Sequence, residues 1–205
     1  MRFRERLLDI RFNAPVVLIL VVLSVQFWDL PLAAWIANNP LYYVRHLKNS
    51  DIPDLLLITI VLLTALSWGM YLYLVHQNIR DRRTQFFRIL GTAMPVTFVT
   101  KEILKWIFGR INTRIWLRHP ELNGFHWFEG SKHFHGFPSG HMLVFTPLLL
   151  TLWQFFPRYR VHYGIAFTCL VIALLVTEYH FLSDIIAGAY IGALVYLAVT
   201  RAARS

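Results

Sequence analysis

The sequence predicts an all-α membrane protein built as a six-transmembrane-helix bundle. Of the 205 residues, 57% are hydrophobic and only 15% are charged, which is typical of an integral membrane protein rather than a soluble domain. Apolar runs recur that approach the roughly 20 residues a helix needs to cross a bilayer. Short polar or basic stretches separate these runs. We therefore treat residues 1–205 as a single integral membrane domain.

The six predicted spans follow one another with short connections. They cover residues 14–36, 54–76, 86–108, 138–156, 163–181 and 184–200. An arginine-rich stretch precedes the first span and no small-residue cleavage site follows it, so we do not expect a signal peptide. Ser183-Asp184 is predicted to break the nearly continuous fifth and sixth runs. The spacing of Gly188 and Gly192 predicts close helix packing in the last span.

The positive charges predict the orientation of the spans. If the N-terminus is cytoplasmic, about twelve of the 20 Lys and Arg residues lie on the inner side and the C-terminus is cytoplasmic too. Most of the others lie within 101–132, around the third span and the loop after it. A basic cluster on the outer side suggests a function, and neutralising a bound phosphate would be one.

Two features limit the other classes of function. The net charge of +9 alone does not indicate nucleic-acid binding, because no soluble domain or basic low-complexity tail accompanies it. Cys169 is the only cysteine, so the chain can form no internal disulfide and no thiolate metal cluster. We expect no nucleic-acid partner.

Two short motifs lie at predicted span ends. Pro138-Ser139-Gly140-His141 opens the fourth span, and His180 and Asp184 lie at the junction of the fifth and sixth spans. With six spans, both motifs and Lys105, near the end of the third span, converge on one face of the membrane. That face is predicted to be external, which places a candidate site at the outer interface.

The residue types in these motifs fit phosphate chemistry carried out by histidine. A Ser-Gly turn at a helix start offers backbone amides and the helix dipole to an anion. One imidazole can act as nucleophile and another as proton donor without a metal. A carboxylate four residues after His180 can orient its ring. The simpler alternative is that Ser139 caps a helix and that His180 and Asp184 are ordinary interfacial residues.

The loop 111–137 is rich in aromatic residues and histidine. This make-up is typical of a segment at the lipid headgroup level, and we favour an interfacial belt over a substrate lid. A metal site would need the loop histidines, but His-x-His is not a typical structural zinc spacing and no cysteine assists. Those histidines are His119, His126, His133 and His135.

These motifs resemble the signature of the membrane-bound type 2 phosphatidic acid phosphatase family, part of the lipid phosphate phosphatase and vanadium haloperoxidase-like superfamily. In that family a Lys, six residues and Arg-Pro precede Pro-Ser-Gly-His. The third motif is an Arg, five residues, a His, three residues and an Asp. The resemblance covers about residues 100–192; the second motif is complete, and His180 and Asp184 match the third.

The resemblance implies a division of roles. His180 would attack phosphorus, Asp184 would orient it, and His141 would protonate the leaving oxygen. The groups expected to hold the phosphate oxygens are Lys105, the Ser139 side chain and the Gly140 amide. The resemblance implies no metal and no cofactor.

Two positions depart from the family pattern. The family Arg-Pro falls on Asn112-Thr113, and the family Arg of the third motif falls on Leu174. Arg110 and Arg114 lie close by, with Arg118, and their guanidinium groups suit phosphate geometry. Arg110 is the first choice as the replacement, because it directly follows the end of the third span.

The leading hypothesis is a lipid phosphate or diphosphate phosphatase that acts at the outer face through a phosphohistidine. Four alternatives remain open. The enzyme could transfer phosphate to an acceptor other than water, or act on a soluble phosphate ester. The protein could also be a non-catalytic lipid-binding or transport protein, or a metal-dependent enzyme that chelators would inhibit. The expected partners are a lipid phosphate substrate and membrane lipids. The resemblance and small size predict a bacterial inner-membrane enzyme, with undecaprenyl diphosphate, phosphatidylglycerophosphate, phosphatidate and lipid A phosphates as candidate substrates.

Overall fold

The computed structural model describes residues 10–38 and 52–203, and these residues form helices without strands. The helices are α1 (Ile10–Leu23), α2 (Asp29–Asn38), α3 (Ile52–His76), α4 (Arg82–Phe108), α5 (Thr113–Trp116), α6 (Gly140–Phe155), α7 (Arg160–Val176) and α8 (Leu182–Ala202). A π-helical turn, Ser24–Trp28, joins α1 to α2. The all-α prediction is confirmed over this part of the chain.

Part of the predicted topology falls outside the described residues. Residues 1–9, 39–51 and 204–205 are not described. They include Arg2, Arg4, Arg6 and Arg204, which are among the twelve basic residues predicted on the inner side, and most of the connection between the first two predicted spans.

Four of the predicted spans are confirmed as helices long and apolar enough to cross a membrane. These helices are Asn13–Asn38, Leu56–His76, Pro157–Val176 and Leu182–Ala202. The spans predicted at 86–108 and 138–156 coincide with α4, which carries several charged residues, and α6, which has 16 residues. That α4 and α6 also cross the membrane stays a prediction.

Large apolar side chains cover the outside of the bundle. Leu66 on α3 is 69% exposed and Val161 on α7 is 73% exposed. A soluble monomer rarely exposes apolar surface on this scale, whereas lipid chains contact it at no cost. The surface therefore fits an integral membrane protein.

The bundle core lies between α3, α4, α6 and α8. Ile60, Ile89, Met94, Val144 and Val199 belong to one buried apolar cluster that links these four helices. Helix α1 packs against α8 on another side of the bundle, and α7 packs against α6. The N-terminal helix is thus a direct neighbour of the helix that carries Asp184.

Helices α6 and α8 approach closely at two glycines. A Cβ atom on Gly188 would lie 2.5 Å from the backbone oxygen of Ser139, and one on Gly192 would lie 2.8 Å from that of Leu143. Both distances are shorter than side chains tolerate, so only glycine fits. The spacing serves close packing, as predicted, and it sets the distance between the two motifs.

The break between α7 and α8 lies earlier than predicted. Helix α7 ends at Val176 and the turn covers 177–181, before Ser183-Asp184. The Thr177 hydroxyl donates to the Ala173 carbonyl at 2.6 Å, and Glu178 adopts a left-handed φ of 54°. A left-handed residue ends a helix because it turns the chain away from the axis. Tyr179, Phe181 and Leu182 continue the apolar run beyond Val176, so the run itself does not indicate this turn.

Candidate active site

One end of the bundle brings together the residues that the two motifs predict. Helix α4 ends there with Lys105, α6 begins there with Ser139 at its N-cap, and α8 begins there with Asp184 in its first turn. His180 lies in the turn between α7 and α8. The antiparallel order of the helices thus produces the predicted convergence.

His180 is buried and its ring is oriented by two acceptors. Its Nδ1 lies 3.0 Å from the Gly136 carbonyl oxygen and 3.6 Å from Oδ2 of Asp184. A carbonyl oxygen can only accept, so Nδ1 carries the proton and Nε2 of the neutral ring is unprotonated. Burial lowers the pKa of His180, against the opposite effect of Asp184. The ring is therefore held in the neutral form that a nucleophile requires.

His141 lies beside His180. The two ring centroids are 6.1 Å apart, and the Tyr179 ring lies 5.5 Å from the His141 ring. His141 is 8% exposed, and its buried Nε2 has no hydrogen-bond partner among the described residues. A buried imidazole nitrogen without a partner is costly unless a ligand or water satisfies it. The pair thus offers two imidazole rings close together, which a two-step phosphoryl transfer can use as nucleophile and proton donor.

The start of α6 is joined directly to the start of α8. The Ser139 hydroxyl accepts from the Met142 N–H at 3.4 Å, which caps α6, and the Ser139 N–H donates to the Asp184 carbonyl at 3.0 Å. Ser139 and Asp184 are both fully buried. The positive end of the α6 dipole therefore lies within the site, where it favours an anion.

Two lysines of α4 lie over the N-terminus of α6. A Cβ atom on Gly140 would lie 2.8 Å from Cδ of Lys101 and 3.6 Å from Nζ of Lys105. Burial, followed by the charges of Lys105 and, more weakly, Lys101, lowers the pKa of nearby His135. The ammonium of Lys105 and the aliphatic stem of Lys101 thus lie next to this helix end, and of these two lysines only Lys105 is predicted from the sequence as a phosphate ligand.

Sequence reasoning missed Lys101, although a signal was present. Lys101 precedes Lys105 by four residues, so both side chains lie on one face of α4. Its Nζ contacts Oε1 of Glu102 at 2.6 Å and lies 4.5 Å from the centroid of the Phe98 ring. Glu102 is therefore a direct partner of this ammonium group.

Arg110, the predicted replacement clamp, is buried among carboxylates. Its Nη1 donates to Oδ1 of Asp184 at 2.6 Å and to the Ser183 hydroxyl, and its Nη2 donates to Oδ2 of Asp29 at 2.7 Å. Burial by itself lowers the pKa of Arg110, but Asp184 and Asp29 outweigh it and raise the pKa above its ordinary value. These contacts favour a role in positioning Asp184 over phosphate binding, which stays a prediction.

The comparison with protein families agrees with this geometry. The family model described as PAP2 superfamily matches residues 86–204, more than half of the chain. The chain belongs to the PAP2 superfamily. Members of the PAP2 superfamily are phosphatases, which supports an enzyme acting on phosphate esters. No curated protein and no solved structure matches the chain.

The position of the PAP2 third-motif arginine is occupied by a core leucine. Leu174 is 5% exposed and packs with Met142 and Ile185. Its carbonyl accepts from the Tyr179 N–H at 3.0 Å within the turn before His180. Asn112, at the other departure, caps α5 by accepting from the Arg114 N–H. Both positions are structural in this PAP2 protein.

Arg114 supports the turn before His180. Its Nε donates to the Thr177 carbonyl at 3.0 Å, and its guanidinium lies 4.5 Å from the centroid of the Tyr179 ring. Tyr179 in turn contacts His141. A direct phosphate contact by Arg114 stays a prediction.

The loop histidines have separate surroundings. His119 pairs with Glu121 at 3.2 Å, and His126 packs on Phe134 with ring centroids 4.4 Å apart. Within residues 10–38 and 52–203, no three His, Cys, Asp or Glu side chains are grouped so as to hold a metal ion. The expectation of a metal-independent enzyme stays a prediction.

Sequence reasoning also missed Asp29. This residue is an isolated carboxylate in an apolar helix, and it is 1% exposed. An ionisable residue inside a membrane span marks a function by default, because burial there is unfavourable without a partner. That signal alone could have identified Asp29, although its partners at 110 and 183 could not be inferred from the sequence.

Proposed function

We propose that this PAP2 protein hydrolyses a lipid phosphomonoester or diphosphate through a phosphohistidine on His180. The observation that carries the proposal is the buried pair of His180 and His141, with ring centroids 6.1 Å apart and with the Nδ1 proton of His180 held by Gly136. Family membership supports the reaction class, hydrolysis of phosphate esters.

The first step forms the bond between nitrogen and phosphorus. The Nε2 lone pair of His180 attacks phosphorus while the bond from phosphorus to the leaving oxygen breaks. The protonated ring of His141 gives its proton to that oxygen, and the negative charge of the bound phosphate favours this protonated form beforehand. His180 becomes cationic, and the nearby Asp184 carboxylate and Gly136 carbonyl stabilise it.

The second step returns the enzyme to its starting state. Neutral His141 takes a proton from water, and the water oxygen attacks phosphorus. The bond between phosphorus and Nε2 of His180 breaks, which releases inorganic phosphate and restores both rings. If another hydroxyl takes the place of water, the same step gives phosphotransfer.

The phosphate oxygens are held without the two family arginines. We assign this role to Lys105, Lys101 and the N-terminus of α6 at Ser139-Gly140. The Lys105 ammonium lies near the Gly140 backbone, and the Lys101 stem passes beside it. Their positive charges would stabilise the transition state more strongly than the bound substrate, because negative charge spreads over the equatorial oxygens. Lys101 thus takes over part of the task of the missing guanidinium groups.

The substrate is assigned to the lipid phase because of the surroundings of the site. Trp127 and Phe128 are each 59% exposed in the loop that covers Arg110, and apolar helices surround the site. Aromatic side chains of this kind are enriched at the lipid headgroup level. We infer that the phosphate enters from the outer membrane interface, with both termini on the cytoplasmic side of a bacterial inner membrane.

Phosphate release by the detergent-purified protein tests the proposal. The substrates are short-chain phosphatidic acid, phosphatidylglycerophosphate and an isoprenyl diphosphate, each assayed with and without chelator and vanadate. We expect release that survives chelator, is inhibited by vanadate and disappears in His180→Ala. Release by His180→Ala at the wild-type rate would refute the phosphohistidine, and loss of release with chelator would favour a metal-dependent enzyme.

A further inference from the structure

The negative charge on Asp184 is paired with a positive group of the protein itself. Its Oδ1 contacts Arg110 at 2.6 Å, and its Oδ2 accepts from the Phe181 N–H at 2.9 Å. A carboxylate that only faced His180 would stabilise the cationic phosphohistidine fully. Here Arg110 neutralises it, so Asp184 and Arg110 together contribute no net charge beside His180.

Asp29 brings a second carboxylate to the same guanidinium. Its Oδ2 accepts from Nη2 of Arg110 at 2.7 Å and from the Ser183 hydroxyl, and its Oδ1 accepts from the Ser183 N–H at 3.0 Å. The Ser183 hydroxyl also accepts from Nη1 of Arg110. Both carboxylate oxygens of Asp29 are therefore hydrogen-bonded to groups adjoining Asp184.

The network is closed and buried. The side chains of Arg110, Asp29 and Asp184 are 3%, 0% and 0% exposed, and the guanidinium lies 4.5 Å from the centroid of the Phe181 ring. Two carboxylates against one guanidinium give the network a formal net charge of −1. Solvent screens such a buried charge weakly, and Asp29 lines one small cavity together with His180.

We propose that Asp29 is a positioning residue of the active site, which holds Arg110 and Ser183 so that Asp184 stays oriented towards His180 and the network of Arg110, Asp29 and Asp184 keeps one net negative charge. The proposal rests on the phosphohistidine function given above. Asp29 lies outside the family-matched residues 86–204. It directly follows the π-helical turn Ser24–Trp28, a local change of helix geometry that is frequent at functional sites.

The first test compares Asp29→Asn with wild type, using release of phosphate from short-chain phosphatidic acid. We expect kcat to fall on the order of ten- to hundredfold, the effect of losing one buried charge-assisted interaction, with KM changed little. The matched control is Glu121→Gln, an exposed carboxylate paired with His119, which should keep the wild-type kcat. An unchanged kcat in Asp29→Asn would overturn the proposal.

A charge-restoring double variant separates positioning from simple structural support. Arg110→Gln leaves a net charge of −2 and Asp29→Asn leaves zero, whereas the double variant returns to −1. We expect the double variant to have a higher kcat than Arg110→Gln, because it no longer buries two unpaired carboxylates. A merely structural role predicts that kcat, corrected for the folded fraction, is the same in all three variants, and that result would overturn the proposal.

Folding and function are controlled separately. Size-exclusion profiles and thermal unfolding report whether each variant is folded. If Asp29→Asn does not purify, Ser183→Ala takes its place, and we expect this variant to have a lower kcat than wild type as well. His180→Ala runs in parallel. Loss of release in His180→Ala with a normal Asp29→Asn rejects only the role of Asp29, whereas full release in His180→Ala rejects the proposed function itself.

Discussion

Replacing Gly188 with alanine should move the two halves of the active site apart. The added Cβ would lie 2.5 Å from the Ser139 backbone oxygen, about 0.9 Å short of an ordinary contact. The obstacle is backbone at the N-cap of α6, so no side-chain rotation relieves it. The start of α6, with His141, must therefore move away from α8, with Asp184.

The size of the effect follows from two opposing contributions. Overpacking of this kind destabilises by about 1–3 kcal/mol, and the better helix propensity of alanine offsets about 1 kcal/mol of that. Catalysis is more sensitive, because a displacement near 1 Å can lower kcat by about a hundredfold. We expect a kcat lower by ten- to hundredfold, on the order of what such a displacement causes, with a modest loss of stability.

The assay is release of phosphate, with thermal unfolding followed on the same samples. Gly164→Ala and Gly69→Ala are matched controls, since a Cβ at either position meets nothing within 4 Å. Both should keep the wild-type kcat and gain a little stability. Gly192→Ala, one turn deeper against Leu143, should lose stability with a smaller effect on kcat. A Gly188→Ala kcat equal to that of Gly164→Ala would refute the link between helix spacing and catalysis.

Three further results are expected. Arg110→Met should lower the free energy of unfolding by about 3–5 kcal/mol, measured in denaturant, because it leaves two buried carboxylates without a counter-charge. Lys101→Gln should lower kcat/KM by about tenfold in the phosphate-release assay, while Glu102→Gln stays near wild type; equal values would remove Lys101 from the site. Burial lowers the pKa of His180 below its ordinary 6.5, so the unfolded chain binds a proton that the folded protein excludes. The wild-type melting temperature should therefore fall as pH drops below about 6.5, and His180→Asn should weaken that dependence; an identical pH dependence in the variant would contradict the assignment.

The sequence is sufficient for those parts of the site that are local in the chain. His141 is recognisable because Ser139 and Gly140 adjoin it, and His180 because Asp184 follows within one helical turn. Apolar length likewise predicts the helices, since a bilayer requires it. The division of the fold into helices is therefore readable from short windows.

Contacts between distant residues are not readable in the same way. The basic side chain of Arg110 next to a span end predicts a phosphate ligand, whereas its partner Asp29, 81 positions away, is not indicated by the sequence. The turn at 177–181 depends on the left-handed conformation of Glu178, which no apolar pattern encodes. In both cases the contacts or the backbone conformation depend on tertiary packing, which the local sequence does not specify.

The position of Asp29 has a consequence for biogenesis. Ribosomes synthesise the first helix long before Arg110 and Ser183 exist, so this helix enters the bilayer with a carboxylate that lacks its later partners. A lone aspartate within a span disfavours insertion, by up to about 3 kcal/mol at the centre of the span on translocon scales, against a few tenths of a kcal/mol gained for each leucine, isoleucine or valine. The strongly apolar stretch before Asp29 offsets this penalty until α8 is made. The insertion of the first helix therefore becomes fully stable only when the catalytic end of the bundle has assembled.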